Sequence, residues 1–94
     1  MGAKLFNHIK EQKPLDNASA NDLQCLVEYF AQLRPKRWQE WQRQYADLST
    51  AQYVFLILQD DLHYNDEITA TFLNIKRISV RSMRLRIKRK GIPK

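Results

Sequence analysis

Glycine and proline are scarce in this sequence, whose 94 residues include two glycines and three prolines. Turn-rich all-β folds use many of both, so we expect a helical protein. The longest continuous apolar run, residues 53–58, is far shorter than the roughly 18–20 residues that a membrane-spanning helix needs. The single cysteine, Cys25, provides neither an internal disulfide nor the paired spacing of a zinc site.

Length and composition predict one small globular domain. A chain of this size builds one modest core, and its 44% hydrophobic and 28% charged residues are an ordinary globular mixture. We therefore expect a single all-α domain of four to five helices over residues 1–94. The first residues contain no continuous apolar stretch, so we expect no secretory signal, no membrane association and a cytoplasmic location.

Acidic side chains are missing from the end of the sequence. Residues 76–94 hold nine lysines and arginines and no acid, whereas residues 1–75 hold seven bases and ten acids, a net charge of −3. Such asymmetry is typical of proteins that bind nucleic acid. A solvated basic terminus, or one that meets anionic lipid, has the same composition. We favour nucleic acid because the bases alternate with apolar residues at helical spacing.

Apolar residues recur at three- and four-residue intervals through an N-terminal helical extension, residues 1–48. The pattern predicts a short helix over 3–12 and a polar loop over 15–22. A helix over 21–33 follows, and then one over 35–48 that opens with a proline. Helical spacing favours the core over base stacking for the two tryptophans. The side chains expected to pack inward are Leu5, Phe6, Ile9, Leu23, Leu26, Val27, Phe30, Leu33, Trp38, Trp41, Tyr45 and Leu48.

Two helices of the C-terminal part, residues 49–92, begin at side-chain caps. Ser49 and Gln52 form a capping box, and the apolar run behind it predicts a helix over 50–60. Asn65 is a good N-cap for a helix that opens with two acidic residues, which suit its positive end. The side chains expected to face inward are Val54, Ile57 and Leu58 in the first helix and Ile68, Ala70, Phe72 and Leu73 in the second.

A turn and a basic helix follow. Asn74 tolerates the left-handed conformation in which the preceding helix would stop, and a last helix is expected over 77–90. Short helix, tight turn and longer basic helix are the outline of a helix-turn-helix. The last helix has an apolar seam of Val80, Met83 and Ile87. Its opposite side carries Ile78, Arg81, Ser82, Leu85 and Arg89.

The outward side of this helix suits the major groove of DNA. Arginines there bond guanine edges, and apolar side chains touch thymine methyl groups. Bases beside that face would contact phosphates. A surface helix with two stray apolar residues, or a dimer face, is the alternative. The bases expected at phosphates are Lys76, Arg77, Arg86, Lys88, Arg89 and Lys90.

Acidic residues also crowd the connection before the capped second helix, where a metal or acid–base site is conceivable. The spacing fits no calcium loop, and neither glycine of the sequence stands there for a sharp turn. We therefore expect no enzyme, no catalytic residue, no cofactor and no metal, and interpret the stretch as a solvated connection. The residues concerned are Asp60, Asp61, His63, Asp66 and Glu67.

Four short motifs stand out within residues 45–92: DLS at 47–49, DEI at 66–68, LNI at 73–75 and SVRSMRLRIKRK at 79–90. Together they resemble the LuxR-type C-terminal helix-turn-helix of bacterial transcriptional regulators, within the winged-helix-like superfamily. The last two motifs, four residues apart, are the most specific part of the resemblance.

The resemblance implies sequence-specific binding of double-stranded DNA and control of transcription, with residues 77–90 as the recognition helix. It places Arg81, Ser82 and Leu85 at base-reading positions, on the side that the helical spacing also turns outward. At Lys76 the family often has a serine, so this helix lacks a side-chain N-cap, a loss of typically about 1 kcal/mol.

The family's dimerisation helix has no counterpart after the last motif, which leaves the N-terminal helices as candidates for a homodimer contact. A sigma-factor C-terminal domain uses a similar helix-turn-helix and would also bind duplex DNA. A helical adaptor that docks an acidic partner or RNA polymerase would instead use Ile78 and Leu85 as anchors. Single-stranded RNA is disfavoured because residues 76–94 contain no aromatic side chain.

Overall fold

Helices account for most of the chain that the computed structural model describes, residues 6, 7, 10 and 20–92. The all-α prediction is confirmed over these residues, where β pairing is limited to an isolated bridge between Tyr45 and Gly91. None of these helices combines the length and hydropathy that a membrane crossing requires. The helices are α1 (Ala20–Leu33), α2 (Pro35–Gln44), α3 (Thr50–Leu56), α4 (Asp66–Leu73) and α5 (Arg77–Arg89).

Helix starts follow the predicted local chemistry closely. Proline occupies the first turn of α2, where its missing N–H costs no helical hydrogen bond. The capping box of α3 is complete, since Gln52 N–H donates to Ser49 Oγ at 3.2 Å and Ser49 N–H donates to Gln52 Oε1 at 2.9 Å. The Asn65 side chain accepts from Ile68 N–H at 2.9 Å and caps α4.

The predicted end of α2 at residue 48 is wrong, because α2 stops at Gln44. Tyr45 is extended and pairs with Gly91 instead of continuing the helix. Ala46 N–H donates to the Lys90 carbonyl at 2.9 Å, and Ile92 N–H donates to the Gln44 carbonyl at 2.7 Å. The backbone here thus pairs with the chain after α5, which a helix would prevent.

The C-terminal end of α3 also differs from the prediction. It widens into a π-helical turn, Ile57–Asp61, with Leu62 N–H donating to the Ile57 carbonyl at 3.0 Å. Trp41 Nε1 donates to Asp60 Oδ2 at 2.9 Å, while the Asp61 side chain is 6% exposed and lies 3.1 Å from Arg34 Nε. The expectation of a solvated connection is therefore wrong for Asp61, whose side chain is buried beside Arg34, whereas Asp60 is exposed and accepts from Trp41.

The hydrophobic core draws on all five helices. Residues 54–58 are buried without interruption, so the end of α3 and the start of the π-helical turn are covered on every side. Trp41 is 1% exposed and stacks on Phe30 at 5.1 Å between ring centroids, which confirms its core role. Leu33 was expected inside but is 47% exposed in the last turn of α1. The core consists of Phe6, Leu26, Val27, Phe30, Trp41, Val54, Phe55, Leu56, Ile57, Leu58, Ala70, Phe72, Val80 and Ile87.

The predicted helix over 3–12 falls mostly outside the described residues. Of its positions, 6, 7 and 10 are helical. Phe6 is 2% exposed, with its ring 5.7 Å from Tyr29 and 6.2 Å from Phe30. Its predicted inward position is confirmed, whereas Leu5, Ile9 and most of the loop over 15–22 lie outside the described residues.

Candidate functional site

Helices α4 and α5 are joined by a three-residue turn, 74–76. Asn74 adopts the expected left-handed conformation, with φ 54° and ψ 47°. Ile75 N–H donates to the Ala70 carbonyl at 3.0 Å and closes the end of α4. Lys76 precedes α5 without a side-chain cap, as predicted. The first turn of α5 therefore keeps unpaired backbone N–H groups.

The two faces of α5 lie where the sequence pattern predicts them. Val80 and Ile87 are 0% and 3% exposed, and Met83 packs against the same core. On the opposite side Ile78 is 71% exposed and Leu85 is 56% exposed. The predicted base-reading residues Arg81 and Ser82 are exposed beside them. The orientation of α5 is confirmed, and the roles of these residues remain predictions.

Five of the six predicted phosphate-binding residues are exposed side chains. Within the described part of the chain none of the five forms an ion pair or a side-chain hydrogen bond. At about 100° per residue, Arg77 and Lys88 lie on one flank of the outward face and Arg86 on the other. The five residues are Lys76, Arg77, Arg86, Lys88 and Arg89.

The sixth residue, Lys90, is held inside the protein's own hydrogen-bond network. Its Nζ donates to the Asp47 carbonyl and to Gln52 Oε1, both at 2.8 Å. It thereby fastens the C-terminal end of α5 to the start of α3. Gly91 follows directly, and a Cβ there would lie 3.1 Å from the Lys88 carbonyl. Lys90 is therefore placed to position α5, and two of its three N–H donors are already used within the protein.

Arg84 pairs with a carboxylate although its side chain is still 39% exposed. Its Nη2 pairs with Asp66 Oδ1 and donates to Gln59 Oε1 at 2.8 Å, while Nη1 donates to Asp66 Oδ2 at 3.3 Å. Gln59 Nε2 also donates to Asp66 Oδ1 at 2.8 Å. Hydrogen bonds from Arg84 first, and then from Gln59, hold the pKa of Asp66 below its ordinary value of 3.8. The network joins the π-helical turn, α4 and α5.

A shallow depression runs beside the outward face of α5. Its lining includes three arginines and one acid, and Asp66 already carries the charge of Arg84. An anion approaching here meets the positive charge of Arg77 and Arg81, which exceeds what the single Asp66 carboxylate can offset. The depression is lined by Asp66, Arg77, Ile78, Arg81 and Arg84.

The acidic residues between α3 and α4 do not converge. In the described ranges, no group of three or more histidine, cysteine or acidic side chains is placed to hold a metal ion. Asp60 accepts from Trp41, Asp61 lies beside Arg34, and Asp66 is paired with Arg84. These carboxylates fix helices to one another.

The sequence does not predict that Arg84 and Lys90 bind partners within the protein. Both stand in a run of similar bases, and nothing in the run distinguishes a base that finds an internal partner. An acid at the positive end of α4 is favourable by itself, so the sequence gives no reason to expect that Asp66 also pairs with Arg84. The signal in the sequence is that an acid at the start of α4 can pair with a base of α5, and several arginines of α5 fit this description equally well.

Comparisons with protein-family models, curated proteins and solved structures find no match to this chain. The resemblance to LuxR-type regulators therefore depends on the four motifs alone. The function must be argued from the charge and exposure of α5.

Proposed function

We propose that the protein is a DNA-binding transcriptional regulator that places the outward face of α5 in the major groove of double-stranded DNA. The observation that carries this proposal is the exposed, acid-free face of α5, flanked by bases without internal partners. An α-helix about 10–12 Å across fits a major groove about 12 Å wide.

Base reading is assigned to Arg81, Ser82 and Leu85, which share this face. Arg81 presents a guanidinium that is free to bond guanine O6 and N7 together, a contact worth about 1–3 kcal/mol of discrimination. Ser82 offers a hydroxyl that donates and accepts, and Leu85 offers an apolar surface. Arg84 is not assigned to base reading, because Asp66 holds its guanidinium against α4.

Affinity and register are assigned to the flanking bases. Arg77 and Lys88 would meet one phosphate ridge and Arg86 the other, with Lys76 and Arg89 near the two ends of the helix. Each phosphate contact releases bound counterions, so binding should weaken steeply with salt. Lys90 contributes by holding the C-terminal end of α5 in place.

The test is fluorescence anisotropy of labelled duplex DNA titrated with the protein at three salt concentrations. We expect a log–log salt slope steeper than about −3 on mixed-sequence duplex. On a selected site, Arg81→Ala should relax specificity at one base pair, and Arg86→Ala should weaken all sequences alike. No binding at low salt by a folded protein would refute the proposal. Equal losses on every sequence for both variants would refute the separate roles.

A protein-docking role is the second candidate, favoured by the exposure of two large apolar side chains, Ile78 and Leu85. An acidic partner or RNA polymerase would use them as anchors in an otherwise basic surface. Purified RNA polymerase is the probe to use. Under this alternative Leu85→Asp abolishes polymerase binding and leaves duplex affinity unchanged. Equal polymerase binding by both proteins counts against it.

Self-association through α1 and α2 would complete the regulator proposal. A single module of this size buries only about 600–1,000 Å² on DNA, so two copies would bind a site more strongly. Leu33, 47% exposed at the end of α1, is the apolar side chain available for such a contact. Light scattering at high concentration tests it, and a monomer mass would exclude it.

A further inference from the structure

The exposed apolar side chains of α5 form a pair on one line. Ile78 and Leu85 are 71% and 56% exposed and lie seven residues apart, close to two helical turns. At 1.5 Å per residue their positions are about 10 Å apart along the helix axis. Large apolar side chains at such exposure gain free energy when they leave water, so a ligand with two apolar points at the same spacing would be bound favourably.

Polar side chains separate the members of this pair. Arg81 and Ser82 lie between them on the same face and are exposed. Arg81 has neither an ion pair nor a side-chain hydrogen bond within the described residues. The outward stripe of α5, defined by Ile78, Arg81, Ser82 and Leu85, therefore alternates apolar, polar and apolar along the helix.

The major-groove edges of DNA offer a matching pattern. The C5-methyl group of thymine is the apolar group presented there, and the other base edges present hydrogen-bond donors and acceptors. Base pairs are stacked about 3.4 Å apart. A distance of about 10 Å along the groove therefore spans two to three base-pair steps. Guanine between two such points would face the arginine.

We infer that the outward stripe of α5 reads a duplex site in which two thymine methyl groups, two to three base pairs apart, bracket a guanine. Ile78 contacts one methyl group, Leu85 contacts the other, and Arg81 bonds the guanine. This assignment rests on the proposed function and narrows its target to one chemical pattern.

Charge complementarity favours DNA over a second copy of this chain as the occupant of the stripe. Residues 76–92 contain eight lysines and arginines and no acid. Asp66 forms an ion pair with Arg84 and also lies in the field of Arg77, so one acid faces this group of bases. Bringing two such helices face to face would place like charges opposite one another without compensation, whereas phosphates would offset them.

The experiment replaces thymine by uracil, which removes the methyl group and leaves base pairing unchanged. A preferred site is first selected from a randomised duplex pool with the full chain. Each thymine is then replaced singly, and affinity is measured by anisotropy. We expect two positions at which uracil weakens binding about threefold to fivefold, the loss of roughly one buried methyl group.

Variants assign each methyl group to its side chain. Leu85→Ala should abolish sensitivity at one of the two positions and Ile78→Ala at the other. Ile92→Ala is the matched control for Ile78→Ala, because it removes the same side chain from a 47% exposed position off the stripe. This control should retain both sensitivities.

The outcomes separate this inference from the function on which it rests. Sequence-selective binding that no uracil substitution changes would overturn the inference and leave the DNA-binding proposal intact. Uracil sensitivity that survives in both stripe variants would overturn the assignment of Ile78 and Leu85. Absence of any duplex binding, by a chain that is folded by circular dichroism, would overturn both.

Discussion

Helices α3 and α5 are both patterned with apolar residues, but the protein uses them in opposite ways. In α3 and its π-helical extension, residues 54–58 are all buried. In α5, Val80 and Ile87 are buried while Ile78 stands 71% exposed. The buried stretch 54–58 offers no exposed side chain to a ligand, whereas the outer side of α5 does. The comparison therefore assigns stability to the buried stretch and supports the proposed recognition role of the outer side of α5.

The charged side chains of the two regions also differ, because those after α3 have internal partners and most of those on α5 have none within the described chain. Asp60 and Asp61, at the end of the π-helical turn, lie against Trp41 and Arg34. Most bases of α5 have no internal partner among the described residues. Acids with internal partners hold helices together, and bases of one sign without internal partners are available to a phosphate backbone.

The largest expected effect separates two identical substitutions. Leu58→Ala removes a fully buried side chain within the π-helical turn and should lower the free energy of unfolding by about 2–5 kcal/mol. Leu85→Ala truncates an exposed side chain and should change it by less than about 0.5 kcal/mol. Urea denaturation measures both. Similar losses for the two variants would break the comparison.

The next largest difference in unfolding free energy is expected between Arg84→Ala and Arg86→Ala. Arg84→Ala removes the hydrogen bonds to Asp66 and Gln59 from a pair that is about one-third exposed, and should cost about 1 kcal/mol of unfolding free energy. Arg86→Ala, with no internal partner to lose, is the matched control and should cost almost nothing. Urea denaturation at neutral pH distinguishes them. Equal stabilities would mean that the Arg84 network contributes nothing.

The pH dependence of Arg84→Ala sharpens this result. Because the pKa of Asp66 is lowered in the folded protein, its carboxylate stabilises the fold above the unfolded pKa, and this stabilisation is lost as pH falls through the folded pKa. The stability difference between wild type and Arg84→Ala should thus be full at neutral pH and shrink below about pH 4. A difference that grows on acidification would contradict the Asp66 pairing.

Lys88 and Lys90 are two residues apart and have different expected roles. Lys90→Ala loses hydrogen bonds to Asp47 and Gln52 and should lower the unfolding free energy by about 1 kcal/mol. Lys88→Ala should leave stability unchanged and make the salt slope of DNA binding shallower by about one. If Lys88→Ala is the destabilised variant, the two assignments are reversed.

The smallest predicted change is a gain. Lys76→Ser supplies the N-cap that α5 lacks and should raise the free energy of unfolding by about 0.5–1 kcal/mol. It also removes a base expected at a phosphate, so DNA affinity should fall slightly although the protein is more stable. Lys76→Ala, which removes the base without adding a cap, is the control. A stability gain of the same size in Lys76→Ala would exclude capping as its cause.

Local signals allowed much of this fold to be predicted. The capping box at Ser49, the cap at Asn65 and the left-handed Asn74 act through neighbouring residues, so the chain itself reveals them. The inner and outer sides of α5 follow from helical periodicity. In these cases three to seven residues contain the whole cause.

Tertiary pairing explains what could not be predicted. The end of α2 at Gln44 depends on a bridge to Gly91, far along the chain. The internal duties of Arg84 and Lys90 depend on which acid or carbonyl the fold brings within reach. The sequence does not distinguish these bases from one another. In the described part of the fold, Arg84 and Lys90 have internal partners that position α5, and the other bases of this segment do not.

The most direct test of the central assignment is an amide NMR titration of the protein with duplex DNA. If the outer face of α5 enters the major groove, the largest shift changes should fall on residues 76–89, with strong effects at Ile78, Arg81 and Leu85. Amides of α1 should change little. Shift changes concentrated on α1 and α2, with α5 unperturbed, would contradict the account.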